Sequence, residues 1–91
     1  MPVLVIGNVP GMTAEQDREG LKALGISDTP AEGSRIRMAG PTDGGWRVVS
    51  LWDSQEAFER FRDERLLPML KQAGAPTPQI EIWPIESVIS R

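Results

Sequence analysis

The sequence predicts an α+β fold in which four strands and two helices follow one another as β-α-β-β-α-β. Residues 45–70, GWRVVSLWDSQEAFERFRDERLLPML, pass from a strand rich in β-branched and aromatic residues into a long amphipathic helix. A nearly continuous apolar run, residues 2–9, precedes a shorter helix, and residues 79–89 alternate in polarity. This order is that of the ferredoxin-like fold, an antiparallel sheet with two helices on one face.

The first helix is delimited by its end signals. Thr13 and Gln16 have capping-box spacing and Gly25 is a stop signal, which together predict a helix over residues 14–24. Its apolar stripe is thin, because Asp17 occupies a position where a larger apolar residue would improve packing. We therefore expect this helix to be the looser of the two.

A β-hairpin is expected in the middle of the chain. Residues 34–39 alternate as a strand, and the Gly/Pro-rich residues 40–45 form the loop into the central strand. A period of two gives the central strand two faces. One face carries Trp46, Val48, Ser50 and Trp52, and the other Arg47, Val49 and Leu51. Both faces are mostly apolar, which predicts that both are covered.

The second helix has two candidate N-caps, Asp53 and Ser54. Pro68 is expected to end or kink it, because proline lacks an N–H and clashes with the preceding turn. Gly74 should close a short continuation. The acidic residues of this helix are interpreted as a solvated face and not as an acid–base pair, since nothing apolar surrounds them to raise a pKa.

The last strand is predicted at residues 79–82, with an interruption at Trp83 and Pro84 and a resumption over residues 85–89. Pro84 cannot donate to a strand ladder, so this strand should lie at an edge or bend there. One apolar sheet face stays bare in this arrangement. That face predicts a homodimer, formed through the sheet faces and the last strand.

Composition limits the functions that the chain can have. It has 91 residues, a net charge of −3, no Cys and no His. The length fits one domain over residues 1–91, and the mild acidity disfavours nucleic acid and anionic membranes as partners. Without Cys or His, the chain lacks thiol nucleophiles and the commonest general base and metal ligand. We expect no metal and no cofactor, and, in the absence of signal-peptide or membrane-span patterns, a cytoplasmic location.

Residues 48–61, VVSLWDSQEAFERF, resemble the antibiotic biosynthesis monooxygenase (ABM)-like branch of the dimeric α+β barrel superfamily. The opening segment PVLVIGNVPGMTAEQ and the closing segment EIWPIESVI resemble it as well. The resemblance covers nearly the whole chain and implies a ferredoxin-like domain that forms a homodimer. Members of the superfamily include cofactor-free quinone-forming monooxygenases, haem-degrading enzymes and small proteins with no assigned role.

The resemblance carries over only part of each known catalytic set. The monooxygenases of polyketide tailoring use an Asn on strand three, the Trp of this run and a Tyr on the following helix. The corresponding residues here are Val48, Trp52 and Phe58.

Haem-degrading members use an Asn on the first strand, a Trp along the second helix and a His near its end. Asn8 matches the first of these, whereas Phe61 and Lys71 lie near the other two positions. The chain has no His, so we expect no haem ligation of the kind that those members use.

Asn8 and Trp52 are the candidate catalytic residues. Trp52 is interpreted either as an aromatic platform for a flat substrate or as a core aromatic that packs on Phe58. The amide of Asn8 lies in an apolar strand and needs hydrogen bonds, from a substrate carbonyl or phenolate or from strand-end backbone. The predicted substrate-binding pocket is lined by Asn8, Met38, Trp46, Trp52, Phe58 and Phe61.

Three arginines form a further candidate site. Arg35 and Arg37 are expected on one face of the second strand, with Arg47 on its hairpin partner. Such a set either grips a carboxylate or phenolate or remains solvated, pairing with Glu81 and Glu86 across a dimer edge.

Two classes of function remain open from the sequence. One is a cofactor-independent monooxygenase-like enzyme that acts on a flat aromatic or polyketide-type small molecule. The other is a non-catalytic dimeric module that binds a small molecule or a protein. An RNA-binding role is disfavoured by the acidic balance, and an acylphosphatase-like role by the absence of Arg from residues 8–13.

Overall fold

A computed structural model describes all 91 residues and confirms the predicted order of strands and helices. Its strands are β1 (Val3–Pro10), β2 (Ser34–Thr42), β3 (Gly45–Trp52) and β4 (Gln79–Pro84). Its helices are α1 (Ala14–Leu24), α2 (Gln55–Phe61) and α3 (Leu67–Ala73), with a π-helical turn at Arg62–Leu66. None of the helices has the length and hydropathy required to cross a bilayer.

The four strands form one antiparallel sheet in the order β2-β3-β1-β4. The two central strands, β1 and β3, are those with the most continuous apolar sequence, while β2 and β4 are the edges. The predicted ferredoxin-like architecture is confirmed.

The two faces of the sheet differ in burial. On β1, Val3, Val5 and Val9 are buried beneath the helices, and together with Ala31 and Phe58 they belong to the apolar interior. The intervening residues of β1 point to the opposite side, which no helix covers. We call that side the open face.

A β-bulge lies at the start of β2. Ser34 pairs with Trp52 and Ile36 with Leu51, so Arg35 is an extra residue in β2 without a partner in β3. Beyond the bulge, Arg37 pairs with Ser50 and therefore lies on the helix-covered face. This extra residue decides which side chains of β2 reach the interior.

Helix α1 begins and ends as predicted. Thr13 Oγ1 accepts a hydrogen bond from the N–H of Gln16, and Gln16 Oε1 accepts one from the N–H of Thr13. Gly25 closes the helix in the left-handed conformation, with φ of 73°.

The second helix is interrupted just before Pro68, where the sequence predicts an end or a kink. Ser54 provides the N-cap, with its Oγ accepting from the N–H of Ala57. A π-helical turn, closed by a bond from Leu67 N–H to Arg62 O, comes directly before Pro68, and α3 is the predicted short continuation. Proline is tolerated in the first turn of α3, where its missing N–H is not needed. The predicted close at Gly74 is confirmed.

The last strand differs from the prediction. Trp83 and Pro84 belong to β4, and the predicted resumption over residues 85–89 is wrong. Pro84 pairs with Val3, the first residue of β1. The residues after Pro84 therefore have almost no backbone of that strand left to pair with. One further bond, from Ile85 N–H to Pro2 O, completes the pairing. The edge position predicted from Pro84 is confirmed.

Candidate functional site

A cavity of about 120 Å³ lies between the helix-covered face of the sheet and the helices. Most of its lining is apolar. Gly7 of β1 has no side chain to fill it, and a Cβ built there would meet no atom within 4 Å. Its helical side is formed by Leu21 and Leu24 of α1, Phe61 and Leu66.

Trp52 forms an aromatic wall of this cavity. Its side chain is 3% exposed, and its ring centroid lies 5.4 Å from that of Phe58 in an edge-to-face arrangement. Phe61 lies 5.3 Å away on a tilted ring. Trp52 thus packs on Phe58 as a core aromatic and also faces the cavity, which combines the two interpretations of this residue.

A partly buried ion pair closes one side of the cavity. Arg37 Nη2 donates to Asp17 Oδ1 over 2.6 Å, and Nη1 donates to Oδ2 over 3.3 Å. Asp17 is 8% exposed although it lies on a helix surface. Asp17, the polar residue that interrupts the apolar stripe of α1, is therefore the residue that pairs with Arg37 of β2.

Ser50 lies beside this pair and also lines the cavity. It is 7% exposed, and its Oγ accepts a hydrogen bond of 2.9 Å from Trp52 Nε1. The hydroxyl hydrogen of Ser50 has no acceptor in the protein and remains available as a donor. We call Asp17, Arg37 and Ser50 the polar corner.

Only half of the six predicted pocket residues surround the cavity. Trp52, Phe58 and Phe61 line it, whereas Asn8, Met38 and Trp46 do not. Asn8 pairs with Arg47 on the open face. The sequence pattern alone does not show which face of the sheet the helices cover.

Met38 is displaced from the predicted pocket by the bulge at Arg35. Because side chains alternate with a period of two, one extra residue reverses the face of every residue after it. Met38 pairs with Val49 on the open face and is 54% exposed. Trp46 is on the helix-covered face but outside the cavity, and its indole nitrogen is buried without a hydrogen-bond partner.

The three arginines do not form one anion site. Arg37 belongs to the polar corner, whereas Arg35 Nε donates to Asp53 Oδ1 over 2.6 Å at the surface. Arg47 Nε donates to Asn8 Oδ1 over 2.8 Å on the open face. The prediction that Arg35 and Arg37 share a face is wrong because of the same bulge, and the alternative in which the three arginines grip one anion is not supported.

The carboxylates of the second helix show no sign of acid–base function. Asp63 is exposed, and the hydrogen bond that Arg62 donates to it lowers its pKa below the usual value. It is therefore ionised and solvated near neutral pH. The structure also contains no group of three acidic side chains that could hold a metal ion.

A larger cleft of about 420 Å³ adjoins the cavity, between α1 and α3. Met12, Gly20, Met69 and Leu70 line both spaces. Methionine side chains adapt readily to neighbouring groups. Rotation of Met69, whose terminal carbon lies against Gly20, would join the two spaces and lengthen the cavity.

This arrangement suits binding more obviously than proton abstraction. The cavity offers apolar walls, an aromatic face and two hydrogen-bond donors, Arg37 and Ser50, for a ligand oxygen. Its only acidic lining residue, Asp17, is already paired with Arg37.

Solved structures share this arrangement of strands and helices. A mutant of SnoaB, a cofactor-independent oxygenase from Streptomyces nogalater, superposes with a TM-score of 0.63 at 13% identity, over 99% of this chain and 98% of that one. The chain shares the fold of this oxygenase. No protein family matches the sequence, and no curated protein does.

Two further solved structures share this fold. A Deinococcus radiodurans protein, provisionally named an antibiotic biosynthesis monooxygenase, has a TM-score of 0.62 at 14% identity over 100% of this chain and 98% of that one. Rv0793 from Mycobacterium tuberculosis has a TM-score of 0.61 at 19% identity over 99% and 100%. The fold implied by the sequence resemblance is thereby confirmed.

Sequence reasoning missed the polar corner. Asp17 was visible as a polar residue on an apolar stripe, and Ser50 as a polar residue on an apolar strand face. Each carried the signal of a buried polar group that needs a partner. The strand register that brings Arg37 beside Ser50 depends on the bulge, and no sequence motif indicates that bulge.

Proposed function

We propose that this protein is a cofactor-independent monooxygenase-like enzyme that oxidises a flat aromatic small molecule in the cavity. The observation that carries the proposal is an apolar cavity with the Trp52 ring as one wall and the polar corner at one side. SnoaB, which has the same fold, is a cofactor-independent oxygenase, and this similarity supports the reaction class.

The proposed reaction converts an anthrone-type methylene into a quinone carbonyl. Overall, R₂CH₂ and O₂ give R₂C=O and H₂O: the carbon is oxidised, and dioxygen is reduced, with one atom retained and the other released as water. The bound substrate loses a methylene proton to solvent and, as its enolate, supplies the electrons, and that proton ends in the water that is released. The protein therefore needs only to bind, orient and enclose the substrate.

The polar corner would donate hydrogen bonds to the oxygen of an uncharged bound substrate and stabilise the negative charge that develops on it as the enolate forms. Arg37 and the free hydroxyl hydrogen of Ser50 are donors already fixed in place, by Asp17 and by Trp52 respectively. The face of Trp52 provides a flat apolar surface for the ring system. Asn8, the other catalytic candidate, lies on the opposite face of the sheet and has no role in this mechanism.

The size of the cavity suits one end of such a substrate. An engineered cavity of about 150 Å³ binds benzene, so about 120 Å³ is close to the volume that a single ring needs. The remaining rings would extend between α1 and α3 into the adjoining cleft once Met69 rotates.

We also propose that the protein forms a homodimer through the open face and its last strand. The open face carries exposed apolar side chains on both edges, with Ile36 47%, Met38 54% and Trp83 54% exposed. Apolar groups grouped on one face in this way mark a surface that associates. A second copy would cover it with an identical patch.

The enzyme proposal is tested by filling the cavity. Gly7→Val adds a side chain into the cavity without an immediate clash, and Gly40→Val adds the same side chain to a strand on the open face. With anthrone in air, we expect wild type and Gly40→Val to form quinone faster than protein-free buffer. Gly7→Val should fall to the buffer rate while remaining folded.

Two results would overturn the proposal. One is wild-type quinone formation no faster than in buffer, and if anthrone nevertheless bound, the protein would be a binding module and not an enzyme. The other is full activity in Gly7→Val, which would place the reaction outside the cavity.

A further inference from the structure

The polar corner is a neutral unit, although it contains an arginine. Asp17 occupies two of the N–H groups of Arg37 in a bidentate pair, and their formal charges cancel. The pair is largely withdrawn from water, with side chains 11% and 24% exposed. An incoming ligand therefore meets hydrogen-bond donors without a net positive charge.

Ser50 adds a donor that is already directed by its neighbours. Its oxygen is occupied by the indole N–H of Trp52, so the hydroxyl can satisfy a ligand only by donating its hydrogen. Ser50 is buried and its hydrogen has no acceptor in the protein, although buried polar groups ordinarily find one. A ligand oxygen that accepts hydrogen bonds would complete this site.

From these observations we propose that the cavity selects uncharged aromatic ligands with a carbonyl oxygen at one end, and that Asp17 sets this selectivity. A carboxylate would lose its hydration shell and find no uncompensated positive charge in return. A ring without an oxygen would leave the Ser50 hydroxyl unpaired. This inference rests on the proposed function only in using the same cavity, and it specifies the ligand class.

Three ligands of nearly equal size test the proposal. Acetophenone carries a carbonyl, α-methylstyrene replaces that oxygen with a methylene group, and benzoate carries a carboxylate. Dissociation constants from NMR titrations are compared for the wild-type protein. We expect acetophenone to bind about five- to tenfold more tightly than α-methylstyrene, the usual effect of one hydrogen bond, and more than tenfold more tightly than benzoate.

Substitution of Asp17 should reverse the preference between the two oxygen-bearing ligands. In Asp17→Asn, Arg37 retains its charge without a counter-ion, and benzoate should become the preferred ligand. Asp53→Asn is the matched control, since Asp53 pairs with Arg35 over the same 2.6 Å but at the surface. It should keep the wild-type order of affinities.

A double variant guards against loss of folding in Asp17→Asn. Asp17→Leu with Arg37→Leu replaces the ion pair by apolar side chains, which proteins often tolerate. The advantage of acetophenone over α-methylstyrene should fall in this variant, because one of the two donors is lost. Unchanged discrimination would overturn the assignment of the polar corner.

The outcomes separate this inference from the proposed function. Equal binding of the three ligands, or benzoate preferred by wild type, would overturn the selectivity and leave the cavity as the binding site. Failure of all three to bind would overturn the inference and remove the support for an aromatic substrate as well. Oxidation of anthrone by a protein with no such selectivity would leave only the enzyme proposal standing.

Discussion

At the scale of single residues, Asp17 contributes most to the site, although a carboxylate is unfavourable at its position in the helix. A carboxylate on the inner stripe of a helix weakens the apolar packing of that helix. In the structure it holds Arg37 in the cavity wall through two hydrogen bonds. The pair joins α1 to β2, so the residue that weakens the helix locally fixes it to the sheet.

Removal of Asp17 should therefore be costly. Asp17→Ala leaves Arg37 largely buried without a counter-ion, and we expect a loss of about 2–3 kcal/mol in the free energy of unfolding, below the usual 3–5 because Arg37 keeps some contact with water. Asp53→Ala breaks the exposed pair with Arg35 and should cost less than about 1 kcal/mol. Urea denaturation measures both values. Equal losses in the two variants would show that the Asp17 pair is not a buried one.

At the scale of elements, the bulge in β2 is the feature that sequence patterns do not predict. The order of helices and strands follows from apolar periodicity, and the ends at Thr13, Gly25 and Gly74 follow from capping signals that act locally. The face on which Arg37 and Met38 lie depends on one unpaired residue, Arg35. Because side chains alternate between the two faces of the sheet, that single residue changes which side chains line the cavity. The fold was therefore predictable from the sequence, whereas half of the site was not.

The approach of β2 to α2 depends on a glycine. Gly33 has φ of 90°, and a Cβ there would lie 2.9 Å from Cβ of Ala57 and 3.5 Å from the ring of Trp52. The neighbouring N–H of Asp53 donates to the Gly33 carbonyl over 2.8 Å. Gly33 thus sets the distance at which the loop before β2 passes the aromatic wall of the cavity.

Alanine at this position should be more damaging than at a glycine of similar conformation. Gly25→Ala incurs about 1–2 kcal/mol for its positive φ, with no atom near the new Cβ. Gly33→Ala incurs a similar cost and, in addition, about 1–3 kcal/mol from the contact with Ala57. Thermal or urea unfolding of the two variants gives the difference. If Gly25→Ala were the less stable protein, the close packing around Gly33 would be disproved.

At the scale of the whole molecule, the sheet separates two surfaces with different roles. The helix-covered side holds the cavity, and the open face holds exposed apolar side chains. Only ten of the 91 residues are buried in the isolated chain, so association would add substantially to a small interior. The proposed dimer interface and the proposed enzyme site lie on opposite faces of the sheet, so the two proposals can be tested separately.

A charge placed on the open face should prevent association. Met38→Lys puts an ammonium group among the apolar side chains and should shift the protein from dimer to monomer in native mass spectrometry, since burying an unpaired charge is costly. Gln72→Lys adds the same charge on the exposed side of α3 and should leave the dimer intact. A monomeric wild-type protein, or a dimeric Met38→Lys variant, would contradict association through this face.

The central claim, that an aromatic ligand binds between the sheet and the helices, is tested most directly by the indole N–H signals of the three tryptophans. Trp52 lines the cavity, Trp46 lies outside it, and Trp83 is exposed on the open face. We would titrate the protein with anthrone under nitrogen, so that no oxidation occurs. Binding in the cavity predicts a saturable shift of the Trp52 signal, with that of Trp83 unchanged. A saturable shift of Trp83 alone, or no saturable shift at all, would contradict the claim.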